Sequence, residues 1–187
     1  MMAFFAALNA VVGHELIHHK ETHNKVLGTW AATKLMYSNF ADEHIKGHHK
    51  TVATLEDPAT AKLNEPLQVF VFRSIYGSIT NVWGYERAKI EALYGKNASL
   101  FTRIFYNKMF WYQVLHVSIL VSIYHVFGWN AFKWNLVYIG MSLYLFEIVN
   151  YIEHYGILRK KDENGIYETV NKMHSWNYLS GSIIIRL

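Results

Sequence analysis

The sequence predicts an all-α, integral-membrane helical bundle, and three observations carry that expectation: an apolar composition, apolar blocks of near-helical length, and the placement of basic residues around them. Hydrophobic residues make up 52% of the 187, aromatics 16% and charged residues only 17%. A soluble domain of this size carries more charge. The apolar residues gather in segments 1–12, 67–83, 111–129 and 136–149, and a helix needs about 20 mostly apolar residues to cross a bilayer. Segment 1–12 is short and starts with the chain, so it reads as a truncated span.

Segments 111–129 and 136–149 read as a helical hairpin. The linker 128–134 carries only Lys133, while Arg103 and Lys108 precede the pair and Arg159, Lys160 and Lys161 follow it. By the positive-inside rule both outer ends of the hairpin face the cytoplasm. Cytoplasmic loops also account for the net charge of +4, since no basic and aromatic nucleic-acid module is visible. The chain has no cysteine, which excludes disulfides, thiolate metal sites and cysteine nucleophiles.

Segment 1–12 runs without a break into polar 14–25, which predicts one long helix leaving the membrane. Residues 41–50 form a second polar helical stretch, followed by the loop Glu56-Asp57-Pro58. In the next block Phe72, Ile75, Ile79 and Val82 recur at helical spacing, with Arg73, Asn81 and Glu86 off that stripe, so it reads as an amphipathic helix lying on the membrane or packed on the bundle. Residues 87–108 read as a charged connector. Asp162-Glu163-Asn164-Gly165 reads as a tight turn between two short extended arms.

Seven of the eleven histidines fall between positions 14 and 49. His14 and His18, four residues apart, share one helical face and can grip one metal ion; His19 points elsewhere by about 100°. His44 and His48 repeat the spacing, and His49 is free to reach a neighbouring ion. His154 follows where the hairpin returns to its basic side. If segment 1–13 exits to that same side, His14, His18, His44, His48, His49 and His154 all meet at one membrane face. Imidazoles suit iron, copper or zinc. Glu15, Glu43 and Glu153 each adjoin a ligand candidate, as acceptors for imidazole N–H groups or as direct ligands.

Each histidine taken singly also reads as an interfacial or solvated residue; the repeated spacing favours metal. His116 and His125, alone in an apolar helix, read as packing residues and His23 as solvated. Glu147 lies inside a span, either lining a path or bonding a partner, or buried near the interface. Phe72, Trp83, Tyr144 and Phe146 read as core, with tunnel lining the alternative.

The strings His14-Glu15-Leu16-Ile17-His18, Glu43-His44-Ile45-Lys46-Gly47-His48-His49, Asn150-Tyr151-Ile152-Glu153-His154-Tyr155-Gly156 and His174-Ser175-Trp176-Asn177 closely resemble the alkane 1-monooxygenase family of membrane di-iron hydroxylases. The first is shared with xylene monooxygenases and, more loosely, fatty-acid desaturases. The resemblance implies six transmembrane helices, two non-haem irons, and O₂-dependent hydroxylation of the terminal carbon of a medium-chain alkane, with electrons from rubredoxin. It carries over as metal ligands His14, His18, His44, His48, His49 and His154.

The family's last box, Gln-Arg-His-Ser-Asp-His-His, is expected where the chain reaches Ile185-Arg186-Leu187. Residues 1–187 are therefore expected to be one di-iron hydroxylase domain truncated at both ends, poorly active or inactive alone. His19 stands where the family has lysine, which leaves open whether His18 or His19 binds. Three other functions remain: a desaturase or fatty-acid hydroxylase; a zinc protease with His14-Glu15-Leu16-Ile17-His18 as its H-E-x-x-H motif and Glu15 as general base; and a non-enzymatic metal-binding membrane protein.

Overall fold

The computed structural model describes residues 2–176; Asn177 and the terminal Ile185-Arg186-Leu187 lie outside them. Among the described residues there are helices and no strand: α1 (Met2–His18), α2 (Thr22–Thr33), α3 (Phe40–Glu43), a π-helical turn (His44–His48) continuing into α4 (His49–Thr51), then α5 (Leu67–Tyr94), α6 (Leu100–Phe105) and α7 (Lys108–His154). A single 3₁₀ turn follows at Lys172–His174. The expected all-α class holds.

The first helix does not run on to residue 25. It stops at His18, Glu21 is extended (φ −69°, ψ 131°), and α2 folds back along α1. Close approach of the two backbones drives the reversal: a Cβ on Gly28 would lie 2.5 Å from the Gly13 carbonyl oxygen, and one on Gly13 would lie 2.6 Å from Ala31 Cβ. Only glycine permits that contact. Ala6, Ala10 and Ile17 of α1 then bury against Ala32, Leu35, Tyr37, Phe40 and Phe146.

The hairpin is present, with a shorter turn than expected. Within Lys108–His154 only Gly128 leaves helical dihedrals (φ 80°, ψ −179°), so the linker narrows to one residue. That α7 doubles back follows from its contacts. Tyr112 Oη lies 2.9 Å from Asp42 and Phe146 packs on Phe40 with ring centroids 4.9 Å apart. An unbroken helix would hold positions 112 and 146 about 50 Å apart. This element is long and apolar enough, by length and composition, to cross a membrane, and Val117, Val126, Phe127 and Trp134 are exposed along it.

Helix α5 turns only part of its apolar stripe inward: Val82 is fully buried and Ile75 packs on the core, while Phe72 and Ile79 are exposed. Its buried line is Phe70, Ser74, Ser78, Val82, Glu86 and Ile90, whereas Phe72 is 78% and Trp83 47% exposed. These two aromatics therefore lie outside the core, contrary to expectation. Ser74, Ser78 and Glu86 turn inward while Phe72, Tyr76 and Trp83 turn outward, which is stable where the surroundings are hydrocarbon rather than water. Glu86 and Asp42 form the polar interior near one end: Asp42 accepts from Lys46 (2.9 Å), Lys108 (2.7 Å) and Tyr112, and Glu86 accepts from the Lys108 amide (3.1 Å).

The connector after residue 87 is largely helical. Helix α5 runs to Tyr94, ends at Gly95 (φ 81°), and α6 starts after Ser99, whose Oγ accepts from the Thr102 amide at 3.1 Å. The turn at 162–165 forms as expected: Asp162 N donates to Ile166 O at 2.9 Å, Gly165 has φ 78°, and Lys161 bridges Tyr167.

Two glycine substitutions separate packing from propensity. Gly28→Ala drives a methyl into α1 and is expected to destabilise the purified protein by about 1–3 kcal/mol. Gly84→Ala, with nothing within 4 Å of the added Cβ, is expected to stabilise α5 by up to about 1 kcal/mol. Thermal unfolding in one detergent reads both, and equal shifts would contradict the assigned contact.

Candidate metal centre

Three stretches of chain bring imidazole nitrogens to one locus. On α1, His18 Nε2 lies 3.0 Å from His14 Nε2, as their spacing requires. From the π turn, His44 Nε2 lies 3.2 Å from His18 Nε2 and touches His14 Nε2, while His49 Nε2 lies 2.9 Å from His44 Nε2. From the end of α7, the His154 ring stands 4.8 Å from that of His48. All six expected histidines are thus neighbours, although positions 14 and 154 are separated by most of the chain.

The pairing within the second cluster differs from what its spacing suggests. In an ordinary α-helix, residues five apart point about 140° away from each other. The π turn His44–His48 closes its hydrogen-bonded ring over one extra residue, and that extra residue swings His49 round to the side of His44. His14, His18, His44 and His49 therefore form one group, and His48 leans to His154. Gly47 sits inside the turn against Glu43 and Tyr85, whose oxygens would both lie 2.6 Å from an added Cβ.

Metal–nitrogen bonds of about 2.0–2.1 Å place adjacent ligand nitrogens roughly 2.9–3.4 Å apart in tetrahedral or octahedral coordination, and the His14–His18, His18–His44 and His44–His49 spacings fall in that range while His14 and His44 stand closer. A neutral imidazole has one donor and one acceptor nitrogen, so four Nε2 atoms aimed at one point cannot all satisfy one another. His14, His18 and His44 place their nitrogens within 4.8 Å of one another. His14 and His44 are buried, His18 is half-buried and His49 lies at the exposed rim; burial pushes His44 well below the ordinary histidine value, and partial desolvation together with the charges of His18 and His48 lowers His49 to about 4.

His48 departs from the others. Burial alone would depress it, but the Asp57 carboxylate, 2.9 Å from its Nδ1, outweighs burial and raises it. Sequence reasoning assigns Asp57 only to a loop and misses this contact. A signal exists nonetheless: an acidic residue beside proline, with Thr60 three residues on, is an Asx-turn pattern able to hold a buried carboxylate. His154 is held in parallel, with Nδ1 3.2 Å from the carbonyl oxygen of His174, and the 3₁₀ turn fixes His174 through the Asn171 amide, which donates to its Nδ1 at 3.0 Å.

The acidic neighbours separate. Glu43 is buried beside Asn81, whose Nδ2 lies 3.4 Å away, and burial plus the Asp57 charge raises it to about 7. Glu153 is buried, with Oε2 4.0 Å from His154 Nε2. Glu15 lies on the exposed side of α1. His19 is exposed and pairs with Glu21 at 3.7 Å, so His18 rather than His19 faces the cluster. His116 is buried and bonded to Ser38 Oγ at 2.7 Å, the satisfied packing role expected of it. His125, expected to pack, is exposed instead, on the outer face of the hairpin. Glu147 is fully buried two turns before His154, beside Asn150 and Ser74, and Tyr144 packs on the Phe70 cluster.

The family model for fatty acid desaturases matches residues 1–187. The chain is similar to alkane 1-monooxygenase 1 of Pseudomonas aeruginosa (32% identical over 177 residues, 95% of this chain and 45% of that protein). It is similar also to alkane 1-monooxygenase 1 of Alcanivorax borkumensis (35% over 171 residues, 91% and 41%) and alkane 1-monooxygenase of Ectopseudomonas oleovorans (34% over 171 residues, 91% and 41%). The chain spans less than half the length of these relatives. The resemblance first carried by four short strings thus extends over nearly all of the sequence, and the chain belongs to the fatty acid desaturase family.

Proposed function

We propose that these residues are one domain of an integral-membrane di-iron monooxygenase that hydroxylates the terminal carbon of a medium-chain alkane with O₂. The observation that carries the proposal is the convergence of six imidazoles in a chain similar to proteins named alkane 1-monooxygenase. His14, His18, His44 and His49 would hold one iron, and His48 and His154 would contribute to a second. Bound iron would supply the oxidising power that an unactivated C–H bond demands and that side-chain acids and bases lack.

The chain's own residues supply the rest. Phe40 stacks on His44 with centroids 5.0 Å apart, meets His14 edge-on at 5.7 Å, and packs on Phe146. An apolar wall therefore stands directly beside the first group, suited to a hydrocarbon with no polar handle. Electrons would come from rubredoxin at the polar rim, where exposed Lys50 adjoins the segment carrying Arg159, Lys160 and Lys161 through the bond from Arg159 Nη2 to Lys50 O (2.7 Å). The same basic residues support a cytoplasmic orientation of the centre.

The family favours one competing function, desaturation or hydroxylation of an acyl chain. A zinc protease draws less support, because Glu15 is exposed and catalytic zinc takes about three protein ligands.

The full-length protein, purified in detergent, is expected to carry about two irons per chain and, with reductant and O₂, to convert a medium-chain alkane into its primary alcohol. A double bond or hydroxyl placed in an acyl substrate, with no alcohol from the alkane, would move the assignment to the competing function. One zinc and no iron would end it. His44→Ala is expected to lower iron occupancy by more than the 10–100-fold in affinity typical of outer partners. His125→Ala, on the exposed face, is expected to leave iron content unchanged.

A further inference from the structure

We propose that Asp57 is a positioning residue that presents His48 Nε2 to metal and so makes the two halves of the centre unequal; this deepens the two-metal reading and rests on it. The case starts from hydrogen-bond polarity. The Ala53 amide can only donate, and it donates to Thr60 Oγ1 at 2.8 Å. Thr60 must then turn its own proton outward, toward Asp57 Oδ2 at 2.6 Å. The other oxygen, Oδ1, accepts from the Ala59 amide at 3.0 Å. Both oxygens therefore face donors, the setting of an ionised carboxylate, which has acceptors only. The remaining partner, His48 Nδ1 at 2.9 Å, must also be a donor.

With its proton fixed on Nδ1, neutral His48 keeps its lone pair on Nε2. Tautomer and ring plane are thus decided by a backbone amide seven residues before Thr60, relayed through two side chains. The loop is anchored in turn. Arg73 of α5 donates to Pro58 O (3.1 Å) and Thr60 O (2.9 Å) and grips both carboxylate oxygens of Glu65 at 2.7 Å. Asp57 is 1% exposed, so water does not compete for these bonds.

No carboxylate bond of this kind ties His14, His18, His44 or His49 among the described contacts, and His154 Nδ1 leans on a neutral carbonyl, with Glu153 Oε2 4.0 Å from its other nitrogen. A carboxylate strengthens the donor power of the imidazole it holds. One metal position therefore draws on a charge-assisted ligand and the other on neutral ones. An asparagine at this position is no substitute: its oxygen can face His48 and Thr60 only by aiming its own N–H₂ at the Ala59 amide, donor against donor.

The test is a Co(II) titration of the full-length apoprotein, read by visible absorption, where each equivalent reports its own ligand set. The unaltered chain is expected to take up two equivalents. Asp57→Asn is expected to weaken one of them by about 10–100-fold and shift its spectrum, leaving the other in place. Thr60→Val, which removes one donor to the carboxylate and keeps its charge, is expected to weaken the same equivalent less. If Asp57→Asn does not fold, Thr60→Val decides alone. Two unchanged equivalents, or parallel weakening of both, would overturn the positioning role. Failure of the unaltered chain to bind a second equivalent would instead sink the two-metal reading, and the role of Asp57 with it.

Discussion

Every element of this fold answers to one constraint: several imidazoles, each costly to bury without a partner, are gathered into a space only a few ångströms across. Buried polar groups persist when they are bonded or bind metal. Here the nitrogens face each other across 2.9–3.2 Å, a distance at which mutual hydrogen bonding satisfies some and leaves others wanting. The helices that carry them must arrive at the right depth together. Fold-back of α2 onto α1, reversal at Gly128 and the π turn each serve that meeting, and none of the three is explained by local propensity alone.

The inward polar face of α5 belongs to the same logic. Ser74, Ser78 and Glu86 line its buried side while Phe72 and Tyr76 point outward. In water that arrangement would expose aromatic surface and bury hydroxyls and a carboxylate. In hydrocarbon the preference reverses, since nothing outside the protein can bond a hydroxyl. Buried Asp42 and Glu86 then find their partners in Tyr112 and in the half-exposed Lys46 and Lys108. Those bonds tie the π turn, where Lys46 sits between His44 and His48, to the C-terminal half of α5 and the start of α7.

What the sequence disclosed divides along physical lines. The His14/His18 pairing was legible because α1 is an ordinary helix and four residues make about one turn. The nearness of His154 was legible because a hairpin returning to its basic side leaves little choice of location. The α1–α2 reversal was not, since His19-Lys20-Glu21 contains no glycine or proline, and the cause lies in Gly13 and Gly28, residues that look ordinary until their backbones touch. The stripe Phe72, Ile75, Ile79 and Val82 on α5 has the expected period but is split, with Ile75 and Val82 turned inward and Phe72 and Ile79 outward, because the side of a helix that turns inward depends on whether water or hydrocarbon lies outside it. Asp57 was hidden because a loop carboxylate declares its role only when the imidazole it meets is known.

The π turn changes which histidines act together. A regular helix through residues 44–49 would set His44 and His48 on one face and send His49 away, grouping the imidazoles differently. The extra residue in the turn closes His49 onto His44 and releases His48 toward Asp57 and His154. Gly47 stands within that turn, where Glu43 and Tyr85 leave no room for a side chain. Such segments are rare and short, and they persist where surrounding contacts demand them; here those contacts are the bonds from Lys46 to Asp42, from Asn81 to Glu43 and from His48 to Asp57. Which imidazoles meet within the cluster is thus set less by the spacing of the histidines than by the carboxylates that hold the widened turn in place.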